Sequence, residues 1–425
     1  MVRRPRFFYG WVIVGIAIIN LVLVYGIRHS FSVFFPPILD EFGWSRGSTA
    51  IMLSLNLLIY GLVAPIAGSL VDRWKPRRVM LIGITILGLA TASCAFAHEL
   101  WHFYLLFGIL MPLGTAFCGW PIFSPILANW FARKRGLVIG LAQTGVGLSF
   151  TYGMFAEFAI SQLGWRPAYF VLASTLVTLL LPLYLLFFHH RPENRGLKAY
   201  GSAELLAAKD LTTDVTTVEN PTSGDWTLGK AMKTYQLWLL ALSFLLYWGI
   251  GCYLVLAHQV KFAEDAGYSS LFAASIFALF GICMAAGQLS GFISDWIGRE
   301  ITIILTTILS IGALVALISV GDTSQPWLLY VYAICFGYGT GLYPATLFAA
   351  AADIFHGKHF GGIGGLLLTG MGIGGAISPW LGGYIYDISG SYISAFILCI
   401  VCFGLAGLAF WIAAPRNAAR LRAKI

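Results

Sequence analysis

Two stretches of the chain, GSLVDRWKPRR at 68–78 and GFISDWIGR at 291–299, share a pattern in which an aspartate ends an apolar run and arginine follows. Three further pairs repeat in the same order: NWFARKRG from Asn129 with DIFHGKHFG from Asp353, GLAQTGVG ending at Gly147 with LLLTGMG ending at Gly372, and GWRPAYF from Gly164 with GSYISAF from Gly390. The offset within the four pairs stays between 223 and 226 residues. Such an internal repeat predicts two homologous halves.

Long apolar runs surround these landmarks. Of the 425 residues, 59% are hydrophobic and 10% are charged, and the mean hydropathy is +0.82. In an ordinary soluble protein about a quarter of the residues are charged. A helix needs roughly 20 residues to cross a hydrocarbon core of about 30 Å. Twelve such runs lie at about 9–38, 47–71, 79–98, 102–131, 137–161, 166–188, 234–262, 269–294, 301–320, 326–352, 362–386 and 391–414. The sequence therefore predicts an all-α polytopic membrane protein, with twelve transmembrane helices in two pseudo-symmetric six-helix bundles.

One long polar segment, at about 189–233, separates six apolar runs from six. We therefore expect an N-terminal six-helix bundle over 1–188, a cytoplasmic linker over 189–233 and a C-terminal six-helix bundle over 234–425. Twenty-two of the 26 lysines and arginines fall on the linker's side of the predicted membrane; the exceptions are Arg28, Arg46, Arg166 and Lys261. Because basic residues concentrate on the cytoplasmic side, both termini are expected in the cytoplasm and the chain in the cytoplasmic (inner) membrane.

The same distribution explains the net charge of +8, which indicates contact with anionic lipid headgroups and not with nucleic acid. No cofactor and no metal site are expected. The seven cysteines lie in apolar runs, His356 and His359 are too few for a metal site, and the GxGxxG spelling from Gly370 follows no strand. The expected partners are the lipid bilayer and a small solute, and the protein is expected to work as a monomer.

The repeated loop motif resembles the signature of the major facilitator superfamily of transporters. Its copies contain Gly68, Asp72, Arg73, Arg77 and Arg78, then Gly291, Asp295, Gly298 and Arg299, with Lys75 where the signature usually has glycine. Other stretches are similar to the bacterial branch of the monocarboxylate transporter and oxalate:formate antiporter families: FFYGW at 7–11, FGWSR at 42–46, NWFARKRGLVIG at 129–140, His258 with DAG at 265–267, and SPWLGGYIYDISGSY at 378–392. The resemblance covers essentially the whole chain. It implies a secondary transporter whose halves rock about a central site, opening it to one face at a time.

The aspartates of the loop motif are candidates for a gate. An aspartate at a helix end, beside arginines, can form a charge-assisted clasp that keeps the cytoplasmic face closed. The candidates are Asp72 with Arg73 or Arg133, and Asp295 with Arg299, which Asp353 could join. The alternative is that these residues are solvated charges at helix ends.

Arg28 is a cation within the first apolar run, between Tyr25 and His29, which are candidates for the same binding site. On insertion scales a cation at the centre of a membrane helix costs about 2.5 to 3.5 kcal/mol, so a compensating partner is expected. One hypothesis is that Arg28 faces a central cavity and binds the carboxylate of a substrate, for which its planar guanidinium is well suited. The alternatives are an internal partner such as Glu157, or an extended side chain that reaches the outer headgroups.

His258 is the second candidate for function. It lies toward the outer end of span seven, one heptad before Asp265, and histidine can change its charge near neutral pH. The monocarboxylate transporter resemblance implies that these two residues couple proton movement to substrate. The alternative is a histidine that packs within its bundle.

The chain departs from the monocarboxylate pattern in span eight. That pattern has a carboxylate-binding arginine about seven residues before the signature aspartate, where this chain has Gln288, and span eleven lacks the lysine of oxalate:formate antiporters. Two explanations stay open: Arg28 has taken over the binding of the anion, or the substrate is not a small monocarboxylate.

Other polar and aromatic residues of the spans suit the lining of a ligand site, which combines apolar walls with a few polar groups. They are Asn56 and Tyr60 in span two, Trp120 in span four, Gln143 and Tyr152 in span five, Gln288 in span eight, and Tyr338 and Tyr343 in span ten. Each of them could instead serve helix packing.

The leading hypothesis is a secondary active transporter that moves a small organic anion, such as lactate or a related carboxylate, together with protons. The alternatives are an exchanger of the oxalate:formate type, an exporter of neutral or drug-like compounds, and a membrane sensor that transports nothing. Drug exporters usually have a glycine-proline motif in span five, where this chain reads GLAQTGVGLSFTYG at 140–153. The linker is too short for a sensor's signalling domain, and no nucleophile with its base indicates an enzyme.

Overall fold

A computed structural model of the protein describes residues 8–131, 135–201, 226–355 and 360–413. Within these ranges the side chains of Ser69, Val71, Asp72, Arg73, Arg135, Asn194, Phe360 and Gly361 are not described. Nearly all of the described chain is helical, as expected where no water is present to bond with free backbone groups.

Twelve long helices follow one another along the described part of the chain. They are α1 (Gly10–Phe42), α2 (Arg46–Arg73), α3 (Pro76–Phe96), α4 (Leu100–Trp130), α5 (Gly136–Leu163), α6 (Trp165–Phe187), α7 (Tyr235–Asp265), α8 (Ser270–Ile297), α9 (Arg299–Ile318), α10 (Trp327–Ile354), α11 (Phe360–Ser389) and α12 (Ile393–Ala413). Among the described residues, eleven of them are long and apolar enough to span a membrane. Helix α10 is the exception because tyrosines and glycines lower its hydropathy, yet its 28 residues match the others in length. The prediction of twelve membrane helices is confirmed.

The repeat is visible in the turns. Gly164 joins α5 to α6 and Gly390 joins α11 to α12, and these glycines are partners in the sequence repeat. Their φ angles are +83° and +68°, a backbone region that side chains other than glycine rarely adopt. The equivalent turns of the two halves are therefore both formed by a glycine with a positive φ angle.

The helices alternate in direction, which gives the bundle two faces. We name as the linker face the face with the turn at 74–75, the end of α10 at Ile354, and the described residues between α6 and α7, which are 188–201 and 226–234. The face with the turns at 43–45, 266–269 and 390–392 is the far face.

The two groups of six helices meet along α1 with α7, α2 with α11, and α5 with α8. The seam between α5 and α8 is tight, since a Cβ atom on Gly281 would lie 2.5 Å from Cβ of Phe150. On the far face the two groups are also in close contact, since a Cβ atom on Gly383 of α11 would lie 2.6 Å from the Arg46 backbone of α2. The bundles therefore touch in the middle and on the far face.

Candidate functional site

Irregular backbone marks the centre of the bundle. Helix α1 is interrupted at Ser30, α4 at Gly119 and α5 at Ser149 and Phe150, and α7 is π-helical over Leu245–Cys252. At membrane depth such irregular backbone is tolerated where it is buried in protein or lines a cavity. These irregular segments, or the residues beside them, surround Arg28.

The Arg28 side chain is held by two tyrosine rings. Its Cζ atom lies 4.7 Å from the ring centre of Tyr25 and 4.9 Å from that of Tyr60. The two tyrosine hydroxyls are 2.6 Å apart, and the Tyr25 hydroxyl also accepts a bond from the Trp120 backbone nitrogen at 3.4 Å. Tyr25, Tyr60 and Trp120, all predicted site residues, thus together position Arg28.

Arg28 is only 5% exposed, and its buried Nε and Nη1 atoms have no hydrogen-bond partner. Within the described chain no carboxylate forms an ion pair with it, and Glu157, though buried, is no partner. Two cation–π contacts recover about 0.5 to 2 kcal/mol each, but an unsatisfied buried donor costs about 1 to 3 kcal/mol. An anion beside Arg28 would remove that cost.

A small cavity lies beside the guanidinium, between the two groups of helices. The first six helices contribute Arg28, His29, Phe31, Ser32, Leu53, Leu57 and Phe150 to its wall, and the last six contribute Tyr253, Leu256 and Phe277. The volume open to the centre of a water molecule is about 20 Å³, room for one or two waters. A carboxylic acid would therefore require the walls to move apart.

His29 presents one ring nitrogen for further bonding. Its Nδ1 atom lies 2.7 Å from the Ser149 hydroxyl, and its ring stacks on Phe150 at 3.9 Å. Because the Ser149 hydroxyl donates its proton to the carbonyl of Val146, it must accept from Nδ1 of His29. Nε2 of His29, which bonds to no described residue, is then the nitrogen that is free to bind a solute or a proton.

Several residues that were predicted to line the cavity lie elsewhere. Asn56 donates to the carbonyl of Phe107 at 2.7 Å, Tyr152 bonds to Thr175, and the Tyr343 hydroxyl is 2.5 Å from Ser243. Each of them is buried and bonds within its own six-helix group, which is the first for Asn56 and Tyr152 and the second for Tyr343. Gln143, Gln288 and Tyr338 are half-buried and are not part of the cavity wall, although Oε1 of Gln288 is buried without a partner.

His258 and Asp265 are connected through two residues that the sequence analysis did not assign. His258 is fully buried; its Nε2 donates to the carbonyl of Pro379 at 2.8 Å, and its Nδ1 lies 3.1 Å from the Tyr392 hydroxyl. That hydroxyl accepts from Nη1 of Arg46 at 3.0 Å. Nη1 also donates to Asp265, at 2.5 Å. Arg46 and Tyr392 lie in motifs noted for their resemblance, but only the packing of α2 against α7 and α11 brings them together.

The second candidate clasp is formed on the linker face. Arg299 contacts Asp295 at 2.6 Å and Asp353 at 3.0 Å, and it bonds to Ser294. These residues lie on α8, α9 and α10, so the clasp joins helices of one group and does not bridge the two groups. The first candidate clasp, with Asp72, Arg73 and Arg133, lies outside the described side chains.

Comparisons with known proteins agree with this architecture. A family model described as Major Facilitator Superfamily matches residues 17–346 and 239–424. Monocarboxylate transporter 13 of Rattus norvegicus is 26% identical over 96% of this chain and 89% of its own, and monocarboxylate transporter 11 of Homo sapiens is 26% identical over 96% and 83%. The uncharacterized MFS-type transporter YcxA of Bacillus subtilis (strain 168) is 24% identical over 94% and 93%.

Solved structures with a similar fold include a bacterial homolog of the human lysosomal transporter Spinster. Its inward-facing, unoccupied form superposes with a TM-score of 0.67 at 17% identity and covers 98% of both chains. The inward-facing, occupied form has a TM-score of 0.69 at 16% identity and covers 99% of both. From the family model, which matches almost the whole chain, and from this shared fold it follows that the protein belongs to the major facilitator superfamily.

Proposed function

We propose that the protein is a secondary active transporter that moves a small monocarboxylate, such as lactate or a related acid, by alternating access and with protons. In this proposal it works as a monomer in the cytoplasmic (inner) membrane, with both termini in the cytoplasm. Residues 1–188 and 234–425 are the two moving bodies. The single observation that carries the proposal is the buried Arg28, whose donors lack partners beside a cavity between the two bodies.

Arg28 fits the role of a carboxylate anchor. Its planar guanidinium donates well-directed, charge-assisted bonds to carboxylate oxygens. The tyrosine rings of Tyr25 and Tyr60 fix its position without neutralising its charge. A bound carboxylate would satisfy the free donors, and Nε2 of His29 could bond to a hydroxyl or keto oxygen of the same acid.

The opposite wall favours a substrate with a single carboxylate. It consists of Tyr253, Leu256 and Phe277, which offer apolar surface and one phenol but no cation. A dicarboxylate would therefore bury its second charge unpaired, at a cost of several kcal/mol. Monocarboxylate transporters 13 and 11, which are similar over most of their length, support the same substrate class.

The seam between the halves supports alternating access. The helices of the two groups are in close contact in the middle, at Gly281, and on the far face, at Gly383. A far face that is closed in this way is expected of a transporter that opens toward the linker face. Rocking about the central seam would close the linker face, part the far face and enlarge the cavity.

Uptake into proteoliposomes under an imposed pH gradient tests the proposal. Labelled monocarboxylates, dicarboxylates and aromatic acids are compared in the wild type, Arg28→Gln and Arg28→Lys. We expect monocarboxylate uptake that falls at least tenfold in Arg28→Gln and partly recovers in Arg28→Lys. Arg166→Gln is the matched control, since Arg166 pairs with Glu41 within the first six helices and should leave uptake unchanged. Full uptake by Arg28→Gln would refute the carboxylate anchor.

A further inference from the structure

Three sequence motifs, two of which have no role assigned so far, converge at one point of the far face. They are FGWSR, which ends at Arg46, the DAG that begins at Asp265, and SPWLGGYIYDISGSY, which contains Asp387 and Tyr392. In the structure the first motif starts α2, and the others end α7 and α11. The first belongs to one six-helix group and the others to the second, so their contacts are contacts between the groups.

Asp387 caps the start of α2 from the opposite group. Its Oδ1 accepts a bond from the backbone nitrogen of Arg46 at 2.9 Å, and its Oδ2 accepts from that of Gly47 at 2.8 Å. First-turn amides have no partner within their own helix, and a carboxylate at this end is favoured by the helix dipole. The helix has its own cap as well, because Ser45 accepts from the Ser48 amide at 3.2 Å. Asp387 thus satisfies the two amides that Ser45 does not reach.

The Arg46 side chain extends the same contact. Besides its bonds to Asp265 and Tyr392, its Cζ atom lies 3.5 Å from the ring centre of Tyr386. The side chain is only 14% exposed, so these bonds are partly shielded from water. A Cβ atom on Gly383 would lie 2.6 Å from the Arg46 backbone, which shows how closely α11 approaches α2.

Tyr392 connects this contact to His258. Burial raises the pKa of the Tyr392 hydroxyl, which therefore keeps its proton. The hydroxyl accepts from Arg46, and it donates its own proton to Nδ1 of His258 when the single proton of that ring is on Nε2, which bonds to the carbonyl of Pro379. This arrangement requires a neutral His258.

A proton on Nδ1 would reverse the bond between His258 and Tyr392, and it would place a second cation near Arg46. The groups that face His258 are Tyr392, Arg46 behind it, Asp387 on α11, and the uncharged ring of Phe35 on α1. The ion pair between Lys261 and Asp40, at 3.6 Å, is a further link between the groups nearby.

We propose that Arg46 and Asp387 form a latch that holds the far face closed, and that Tyr392 makes the latch respond to protonation of His258. The inference rests on the proposed transport function, to which it adds the residues that gate the far face. The latch opens when the carboxylate of Asp387 leaves the start of α2.

The test measures the far face directly, by double electron–electron resonance between nitroxides on Gln162→Cys and Gln325→Cys. These exposed positions lie on the far face in opposite groups, and the two half-buried cysteines, Cys283 and Cys335, are replaced by serine. At pH 7.5 we expect one short distance in the parent protein. Arg46→Gln and Asp387→Ala should each raise the population of longer distances about tenfold. Arg166→Gln, which breaks an ion pair on the same face within one group, should change nothing.

Stepwise acidification from pH 7.5 to pH 4 should open the far face of the parent protein. In Tyr392→Phe and in His258→Gln, the far face should stay closed at pH 7.5 and should no longer open on acidification. The latch is refuted if Arg46→Gln and Asp387→Ala give the same distances as Arg166→Gln. The role of Tyr392 in coupling the latch to His258 is refuted if Tyr392→Phe keeps the full pH response. If Asp387→Ala is not monodisperse, Asp387→Asn, which keeps the side-chain volume, takes its place.

Uptake by the same proteins separates this inference from the proposed function. An open far face in the latch variants, with full uptake by Arg28→Gln, would refute the carboxylate anchor and keep the latch. Loss of uptake in Arg28→Gln, with a closed far face in the latch variants, would refute the latch alone.

Discussion

Arg28 shows how a side chain can be kept charged and unpaired inside a membrane protein. Stacking between Tyr25 and Tyr60 stabilises the cation through the ring faces and leaves its edge donors unused. A carboxylate in place of the rings would have neutralised Arg28 and bonded its donors. The aromatic support therefore leaves these donors available for the proposed carboxylate, whereas an internal ion pair would occupy them.

The cation–π contact between Arg28 and the Tyr60 ring can be tested by substitution at position 60. Tyr60→Leu removes the ring face and should raise the KM for anion uptake about 3- to 10-fold, in line with a cation–π contact of about 0.5 to 2 kcal/mol. Tyr60→Phe keeps the ring and loses only the bond to Tyr25, so its KM should stay within about twofold. Equal defects in the two variants would show that the hydroxyl, and not the ring, supports Arg28.

The sequence was sufficient to place Arg28 at membrane depth, because a cation within an apolar run is visible without any structure. Its neighbours were only partly predictable. Tyr25 precedes it by one helical turn, but Tyr60 lies on another helix, and Tyr253 comes from the other half of the chain. Asn56, Tyr152 and Tyr343 have the same residue types as a cavity lining, yet they bond within their bundles. Polarity within a span does not reveal which way a side chain points.

At the scale of helices, the contact between α5 and α8 depends on small residues. Gly147 lies against the backbone of Ala285, and Gly281 lies against Phe150 and the carbonyl of Gly147. Small residues allow membrane helices to approach closely and to pack through backbone contacts. This seam joins the two halves beside the cavity, so its spacing sets the distance between the cavity walls.

Gly281→Ala tests the seam. The added methyl group would lie 2.6 Å from a backbone oxygen that cannot easily move, so we expect a loss of about 1 to 3 kcal/mol of stability and a lower rate of uptake. Thermal unfolding in detergent and initial uptake rates provide the measurement. Gly312→Ala on α9 is the control, because that exposed glycine has open space around it and alanine favours helix. Equal melting temperatures for the two variants would contradict the tight seam.

The repeat paired Gly164 with Gly390, and the structure places these glycines in equivalent turns of the two halves. The hydrogen bonds between the halves could not be predicted in the same way. Asp387 is separated from Arg46 by 341 positions, and neither a period nor a spacing in the sequence connects them. Contacts of this kind depend on how one bundle is placed against the other.

At the scale of the whole molecule, charge and helix direction together define two unlike faces. The far face has the ion pairs of Arg46, Arg166 and Lys261, while most of the remaining cations lie toward the linker face. By the positive-inside rule we expect the linker face to lie on the cytoplasmic side.

Thiol labelling in intact cells tests this orientation. Ser324→Cys places a thiol in the exposed turn before α10 on the far face, and Lys230→Cys places one on the linker face. A membrane-impermeant maleimide should label Ser324→Cys in intact cells and Lys230→Cys only after lysis. The reverse pattern would overturn the orientation and, with it, the assignment of the gates to their sides.

The capping of α2 by Asp387 has a consequence for how the protein tolerates mutation. The carboxylate binds main-chain amides, which every residue type except proline supplies, so this half of the latch does not depend on which side chain stands at position 46. Position 47 is restricted by space, since a Cβ atom there would lie 2.9 Å from Asp387. Genetic drift at the start of α2 can thus alter the Arg46 bonds while the helix cap survives, whereas any change at Asp387 removes the cap at once. Substitutions should therefore be tolerated more often at position 46 than at Asp387.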